Sequence, residues 1–195
     1  MSGLRIGLVS DTHIPEARHA LWEQVFDAFR GVDYILHGGD IHDLSVIDQL
    51  NDVAPIYVAR GNGDDGDGGR PVQPEDSRVR HVWAIELGGV RIGLTHTLPI
   101  PEILPSHTVE RALDRLFGHR NLDVLVYGDT HVESIETYAG VLCVNPGSPT
   151  YPHNHLTQLG TIGFLEIVAG KTDASIWKLT DAGIEPYNWR DWRRV

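Results

Sequence analysis

Cysteine is almost missing from this sequence: Cys143 is the only one in 195 residues. No internal disulfide can form, so a secreted disulfide framework is excluded. Cys143 sits in the strand-like stretch GVLCVN and is expected to be a buried core thiol. Long apolar runs are missing as well. None approaches the roughly 20 residues that a membrane span needs. The opening stretch MSGLRIGLVSDTH enters a strand and stops at charged residues. It has no basic segment followed by an apolar stretch and a cleavage site. A cytoplasmic protein without a membrane partner is therefore expected. Positive charge is scarce too, with 16 basic against 27 acidic residues and a formal charge of -11. A diffuse negative field argues against a nucleic-acid partner. It leaves room for a local phosphate site where metal ions invert the sign.

What is present fits a folded globule: 41% hydrophobic residues and 21 glycines. The length suits one domain over residues 1–195, with an aromatic tail from about 184 to 195. LRIGLV (4–9), DYILHGG (33–39) and PIYVARGN (55–62) read as strands, each a short apolar run. Between them, Leu21, Val25, Phe26 and Phe29 recur at helical spacing over Glu16 to Phe29. LSVIDQL (44–50) is a second helix with Asp43 as its N-cap. This βαβαβ opening predicts an α/β fold with a largely parallel sheet. Residues 64–78, rich in Gly, Asp and Pro, read as a mobile surface loop. VWAIELGGVRIGLTHT (82–97) reads as a hairpin turned at Gly-Gly. A helix over 106–118, capped by Ser106, and the strand LDVLVYG (122–128) follow. SIETYAG and VLCVNPGS suggest a second hairpin, and TIGFLEIVAG and ASIWKLT close the chain as strands. The order predicts two facing mixed sheets with helices outside.

Polar residues gather just after these strands: Asp11 and His13, Asp40, Asn62 and Asp64, His96, and Asp129 with His131. In an α/β sheet the carboxyl ends of strands converge on one rim. A lone Asp after Gly is usually a turn residue, and a lone His a surface or loop group. Their coincidence at successive strand ends points instead to a metal centre. Carboxylate, imidazole and amide donors suit manganese, iron, zinc or cobalt. Two such ions about 3.5–4 Å apart would clamp an in-line phosphoryl displacement and activate a shared water. Asp40 is the candidate bridging carboxylate.

SDTH (10–13), HGGD (37–40), RGNGD (60–64), LTHT (94–97), GDTH (128–131) and NPGS (145–148) occur in that order. In them the chain resembles the calcineurin-like metallophosphoesterases, closest to the small bacterial and archaeal phosphodiesterase branch. The resemblance runs from Leu4 to about Ile167. It implies a four-layered α/β/β/α sandwich and hydrolysis of a phosphate ester, a diester in preference to a monoester. It also implies one ion held by Asp11, His13, Asp40 and His131, and a second by Asp40, Asn62, His96 and Asp129. Manganese is favoured, with iron, cobalt, nickel, magnesium and zinc as alternatives. Asp40, Asn62, Asp64 and His96 become the candidate catalytic residues, with Asp64 behind the ligands, steadying Asn62 or orienting a histidine. Asn62, Asn145 and His153 become candidate contacts to substrate, Asn145 and the NPGS turn shaping the floor.

The chain departs from the family pattern in three places. The histidine that follows GN in many relatives and protonates the leaving oxygen is Gly63 here; His42 and His107 are alternative donors. Thr97 stands where LxHG has glycine and is expected to narrow the pocket. Asp129 replaces the usual first histidine of GHTH, a harder donor that favours manganese, iron or magnesium over zinc. Arg70 and Arg78 on the 64–78 loop are candidate substrate contacts, although a solvated loop is the simpler reading. The rival to an enzyme is a non-catalytic metal-binding scaffold or interaction module on the same fold. Trp189, Trp192 and their neighbouring arginines either pack on the chain's own body or form a contact between subunits.

Overall fold

The computed structural model describes residues 3–99, 109–154, 157 and 159–191. Among the described residues, twelve strands and three α-helices are built on the apolar stretches. In chain order these are β1 (Leu4–Val9), α1 (Glu23–Phe29), β2 (Tyr34–His37), α2 (Leu44–Val53), β3 (Ile56–Ala59) and β4 (Val79–Arg80). Then come β5 (Val82–Leu87), β6 (Val90–Thr95), α3 (Val109–Phe117), β7 (Val124–Val126), β8 (Ser134–Tyr138) and β9 (Val141–Asn145). The chain continues through β10 (Thr161–Val168), β11 (Lys171–Thr180) and β12 (Gly183–Pro186). The first sheet runs β12-β11-β10-β1-β2-β3-β4 and the second β5-β6-β7-β9-β8. Both are mixed. β1, β2, β3 and β4 pair in parallel, whereas β10 joins β1 antiparallel. β6, β7 and β9 are parallel, flanked by antiparallel β5 and β8.

Three apolar clusters fill the spaces between layers. Val25, Phe29, Ile47 and Leu50 of α1 and α2 pack on Val9, Ile35 and Phe164 of the first sheet. Ile6, Leu8 and Leu36 face Ile92, Leu94, Val124 and Val144 of the second sheet. Val109, Ala112 and Leu113 of α3 cover Leu125 and Cys143 on the outer side of that sheet. The architecture is thus an α/β sandwich of two mixed sheets flanked by helices. Cys143 is fully buried, and burial pushes its thiol up to about 12. No helix among the described residues is long and apolar enough to cross a membrane.

Several elements differ from the sequence pattern. The helix expected over 16–29 is confined to Glu23–Phe29. Trp22 is held extended because its indole donates to the Pro149 carbonyl at 2.8 Å. The helix expected over 44–50 runs on to Val53, and Asp43 caps it by accepting from the Ser45 amide at 2.8 Å. The expected mobile loop after β3 is folded into 3-10 turns at Gly63–Asp65 and Asp67–Gly69. The buried Arg60 side chain donates to Asp65 and to the Gln73 carbonyl, drawing the two ends of this segment together. Arg70 is bidentate on Glu16, and Arg78 is shared by Asp76 and Asp48. β4 and β12 carry too few residues for a period to show in the pattern. Trp189 is 6% exposed, in a groove with Ile135 and Trp177, so the first tail tryptophan packs on its own body. Ser106, His107 and Trp192 lie outside the described residues.

Candidate metal centre

The carboxyl ends of β1, β2, β3, β6 and β7 open onto one rim. Two glycines let their loops approach this closely. A Cβ on Gly61 would stand 2.0 Å from Asp40 Oδ1, and one on Gly128 would stand 1.9 Å from Ser10 Oγ. The backbone turns sharply at the same places. Asp11, His13, Asp40, His42, Asp129 and His131 all have positive φ, between 43° and 72°. That region is sparsely used by residues other than glycine, and such strain concentrates at functional sites. Each Asp-x-His unit therefore leaves its strand by the same left-handed turn, which the local sequence repeats three times.

The seven expected ligand residues come together in two sets. In the first, His13 Nε2 lies 3.1 Å from His131 Nε2, and Asp11 Oδ1 lies 3.5 Å from His131 Nε2. Asp40 Oδ2 stands 3.5 Å from His13 Nε2. In the second, His96 Nε2 is 3.0 Å from Asn62 Oδ1, 3.5 Å from Asp40 Oδ1 and 3.6 Å from Asp129 Oδ1. Asp40 thus turns one oxygen to each set, as a bridging carboxylate must. His96 Nδ1 donates to the Gly38 carbonyl and His131 Nδ1 to the Tyr151 carbonyl, both at 2.7 Å. Each bond leaves the Nε2 lone pair facing inward, the tautomer a metal ligand needs.

The electrostatics fit the same arrangement. Burial opposes ionisation of Asp11, yet His13, His96, His131 and Ser10 carry it below the usual carboxylate range. Burial pushes Asp40 above that range, Asp11 adding repulsion. Burial disfavours charge on His96, but Asp11, Asp40 and Asp129 outweigh it and raise its pKa. Buried carboxylates and imidazoles with their acceptor atoms converging, and no thiolate among them, fit divalent cations. Asp11, His13 and His131 form one group with ligand atoms within 4.8 Å of one another, and Asp11, Asp40 and His96 another. Clusters for one or two divalent ions are therefore present.

The remaining expected residues have different surroundings. Asp64 is fully buried, and its carboxylate accepts from the backbone amides of Asp40, Ile41, His42 and Gly61 at 2.9–3.0 Å. It holds the loops after β2 and β3 together, and touches Asn62 through the adjoining Gly61 amide and not through its side chain. The Asn62 amide nitrogen donates instead to Asp67 at 2.8 Å, a partner the sequence did not disclose. Asn145 is also fully buried. Its amide donates to the Gly128 carbonyl and Thr130 Oγ1 and accepts from Gly147 N. It shapes the floor beneath the Gly128–His131 turn and has no donor left for a substrate. His153 is exposed and lines an open cleft of about 360 Å³ with Asp129, Thr130, His131, Tyr151 and Pro152. Thr97 is exposed and outside that lining, so it does not narrow this cleft. The guanidinium groups of Arg70 and Arg78 are spent on carboxylates.

His42 lies beside Gly63: a Cβ at 63 would meet His42 Nε2 at 2.3 Å. The imidazole fills the volume that a side chain there would enter. Both of its nitrogens are buried without a hydrogen-bond partner, Nδ1 standing 3.2 Å from Glu16 Oε2.

Residues 4–170 match the profile of the calcineurin-like phosphoesterase superfamily domain. The chain is 36% identical to a probable metallophosphoesterase of Methanothermobacter thermautotrophicus, over 88% of this chain and 90% of that protein. It is 26% identical to a phosphodiesterase of Methanocaldococcus jannaschii, over 84% of this chain and 93% of the relative. Among solved structures it resembles vacuolar protein sorting 29 (Vps29) of Cryptosporidium parvum. The TM-score is 0.71 at 22% identity, covering 95% of this chain and 96% of that one. Vps29 structures from Entamoeba histolytica and Chaetomium thermophilum share the fold. With the family profile spanning most of its length and a close curated relative covering nearly all of it, the chain belongs to the calcineurin-like phosphoesterase superfamily.

Proposed function

We propose that this chain is a metal-dependent hydrolase of small phosphate esters, a diester in preference to a monoester. The observation that supports it most is Asp40, which divides its two oxygens between two nitrogen-and-oxygen sets, beside an open cleft that Asp129 and His131 line. Asp11, His13, Asp40 and His131 would hold one ion, and Asp40, Asn62, His96 and Asp129 the other. When bound, two such ions supply Lewis-acid polarisation of the phosphoryl oxygens and lower the pKa of water. The chain's own part is to orient. Gly38 and Tyr151 fix two imidazole tautomers, Asp67 aims the Asn62 carbonyl oxygen inward, and Asp64 ties the two loops that carry Asp40 and Asn62. Asp129 makes the second set harder than an imidazole would, favouring manganese, iron or magnesium over zinc. The named diesterase among the relatives supports the diester preference.

A second reading is a metal-binding scaffold without catalysis. The solved-structure comparisons favour it over hydrolysis, because the matches are dominated by proteins named for sorting. The absence of a side chain at Gly63 favours it as well. Steady-state hydrolysis of bis(4-nitrophenyl) phosphate separates the two readings, using manganese-loaded wild type, Asp40→Asn and Asp129→His. The hydrolase reading expects turnover by wild type, a loss of at least a hundredfold in Asp40→Asn, and a shift of Asp129→His toward zinc. Folded, metal-loaded wild type no faster than Asp40→Asn leaves the scaffold.

A further inference from the structure

Tyr151 is 60% exposed, the one large exposed hydrophobic residue lining the cleft. Its neighbours hold it in place. The Tyr151 amide donates to Ser148 Oγ at 2.8 Å, and Ser148 Oγ donates to the Asp11 carbonyl at 2.7 Å. Thr150 Oγ1 donates to the Thr12 carbonyl at 2.6 Å, and the Tyr151 carbonyl holds His131. The turn that carries Tyr151 is thereby stapled to the same loop that carries Asp11 and His13. The ring meets His131 and His13 edge-on, with centroids at 5.2 and 5.7 Å. Its outer side is left to solvent. A solvent-facing aromatic ring on an anchored turn is a stacking platform for a flat aromatic group.

We infer that Tyr151 selects esters carrying a flat aromatic ring within reach of the phosphoryl group, an inference that rests on the phosphoester reading above. The flat group would lie on the Tyr151 ring while the phosphoryl oxygens reach the Asp11–His131 and His96–Asn62 sets. The cleft of about 360 Å³ has room for one such ring beside the phosphoryl group. Asp129 at the rim and the net charge of -11 disfavour any substrate with further phosphates. The class is a singly charged aryl or nucleoside phosphodiester.

Calorimetric binding of phenylphosphonate and methylphosphonate to the manganese-loaded protein tests this without turnover. Wild type should bind the phenyl compound about tenfold tighter or more, given the usual strength of ring stacking. Tyr151→Phe should keep that ratio and Tyr151→Leu should bring it to about twofold or less. The backbone carbonyl that holds His131 survives both substitutions. An equal ratio in wild type and Tyr151→Leu overturns the inference. Competitive inhibition of bis(4-nitrophenyl) phosphate hydrolysis by dimethyl phosphate, methyl phenyl phosphate and the methyl ester of thymidine 5′-phosphate distinguishes the two sources of the ring. Either aromatic diester should inhibit wild type more tightly than dimethyl phosphate, and the tighter one names the source. Equal inhibition by all three overturns the inference. No turnover of any ester by a protein that still binds phenylphosphonate preferentially sinks the hydrolase reading and leaves Tyr151 as a recognition residue.

Discussion

Gly63 and His42 show at the scale of single residues why a motif letter misleads when read alone. Against the family pattern, Gly63 is simply a missing histidine. In the fold its place is taken, since His42 Nε2 lies 2.3 Å from where a Cβ at 63 would stand. Restoring the family residue by Gly63→His should therefore destabilise the protein by about 1–3 kcal/mol through overpacking. Adding His42→Ala should recover most of that. Urea unfolding of the single and double variants checks it, and additive losses in the double variant would refute the steric coupling. Legibility at this scale was uneven. The donor types and their order along the chain could be read because each sits directly after an apolar strand. The saturation of Asn145, the four amides on Asp64 and the Asp67–Asn62 bond could not. Each depends on atoms brought in from another segment.

At the scale of elements, the loop after β3 is the clearest departure from pattern. Its Gly, Asp and Pro content signals irregular backbone, which need not be mobile. The structure makes the acidic residues and carbonyls of that segment into acceptors for arginines. Arg60, buried beside the site, ties Asp65 and Gln73 from opposite ends. Arg60→Ala should cost about 2 kcal/mol, the usual size for losing the charge-assisted hydrogen bonds of a buried guanidinium. Hydrogen exchange should speed up selectively over residues 63–73, with β1 and β10 unchanged. Uniform loss of protection would mean that Arg60 supports the whole sheet instead. Strand order was also only partly legible. The parallel β1-β2-β3 run follows from alternating strand and helix, whereas the insertion of β10 beside β1 joins segments more than 150 residues apart.

At the scale of the whole molecule, the site is built at a cost to folding. His37 is fully buried behind it, bonded to Thr12 Oγ1 and the Gly39 amide, and burial lowers its pKa from 6.5 to about 4. A base with a depressed folded pKa is neutral in the native state and protonates on unfolding. Its contribution to stability is present above pH 6.5 and is lost as pH falls toward 4. The size is about 3 kcal/mol, from roughly 1.4 kcal/mol for each pH unit. Urea unfolding of the metal-free protein between pH 7 and 4.5 should show this decline, and His37→Gln should flatten it. An unchanged slope in that variant would place the acid sensitivity elsewhere, with the carboxylates.

The sequence by itself determined the α/β class, the strand ends and the types of donor gathered at the rim. Apolar period and donor type are local properties, carried by residues adjacent in the chain. Only the tertiary structure decided how those donors are used. It turned one Asp40 oxygen to each ligand set, spent the Asn145 amide inside the floor, filled the space beside Gly63 with His42 and left Tyr151 bare at the rim. These outcomes depend on packing between strand ends far apart in the chain, where a shift of an ångström changes which atom is a neighbour and which is free.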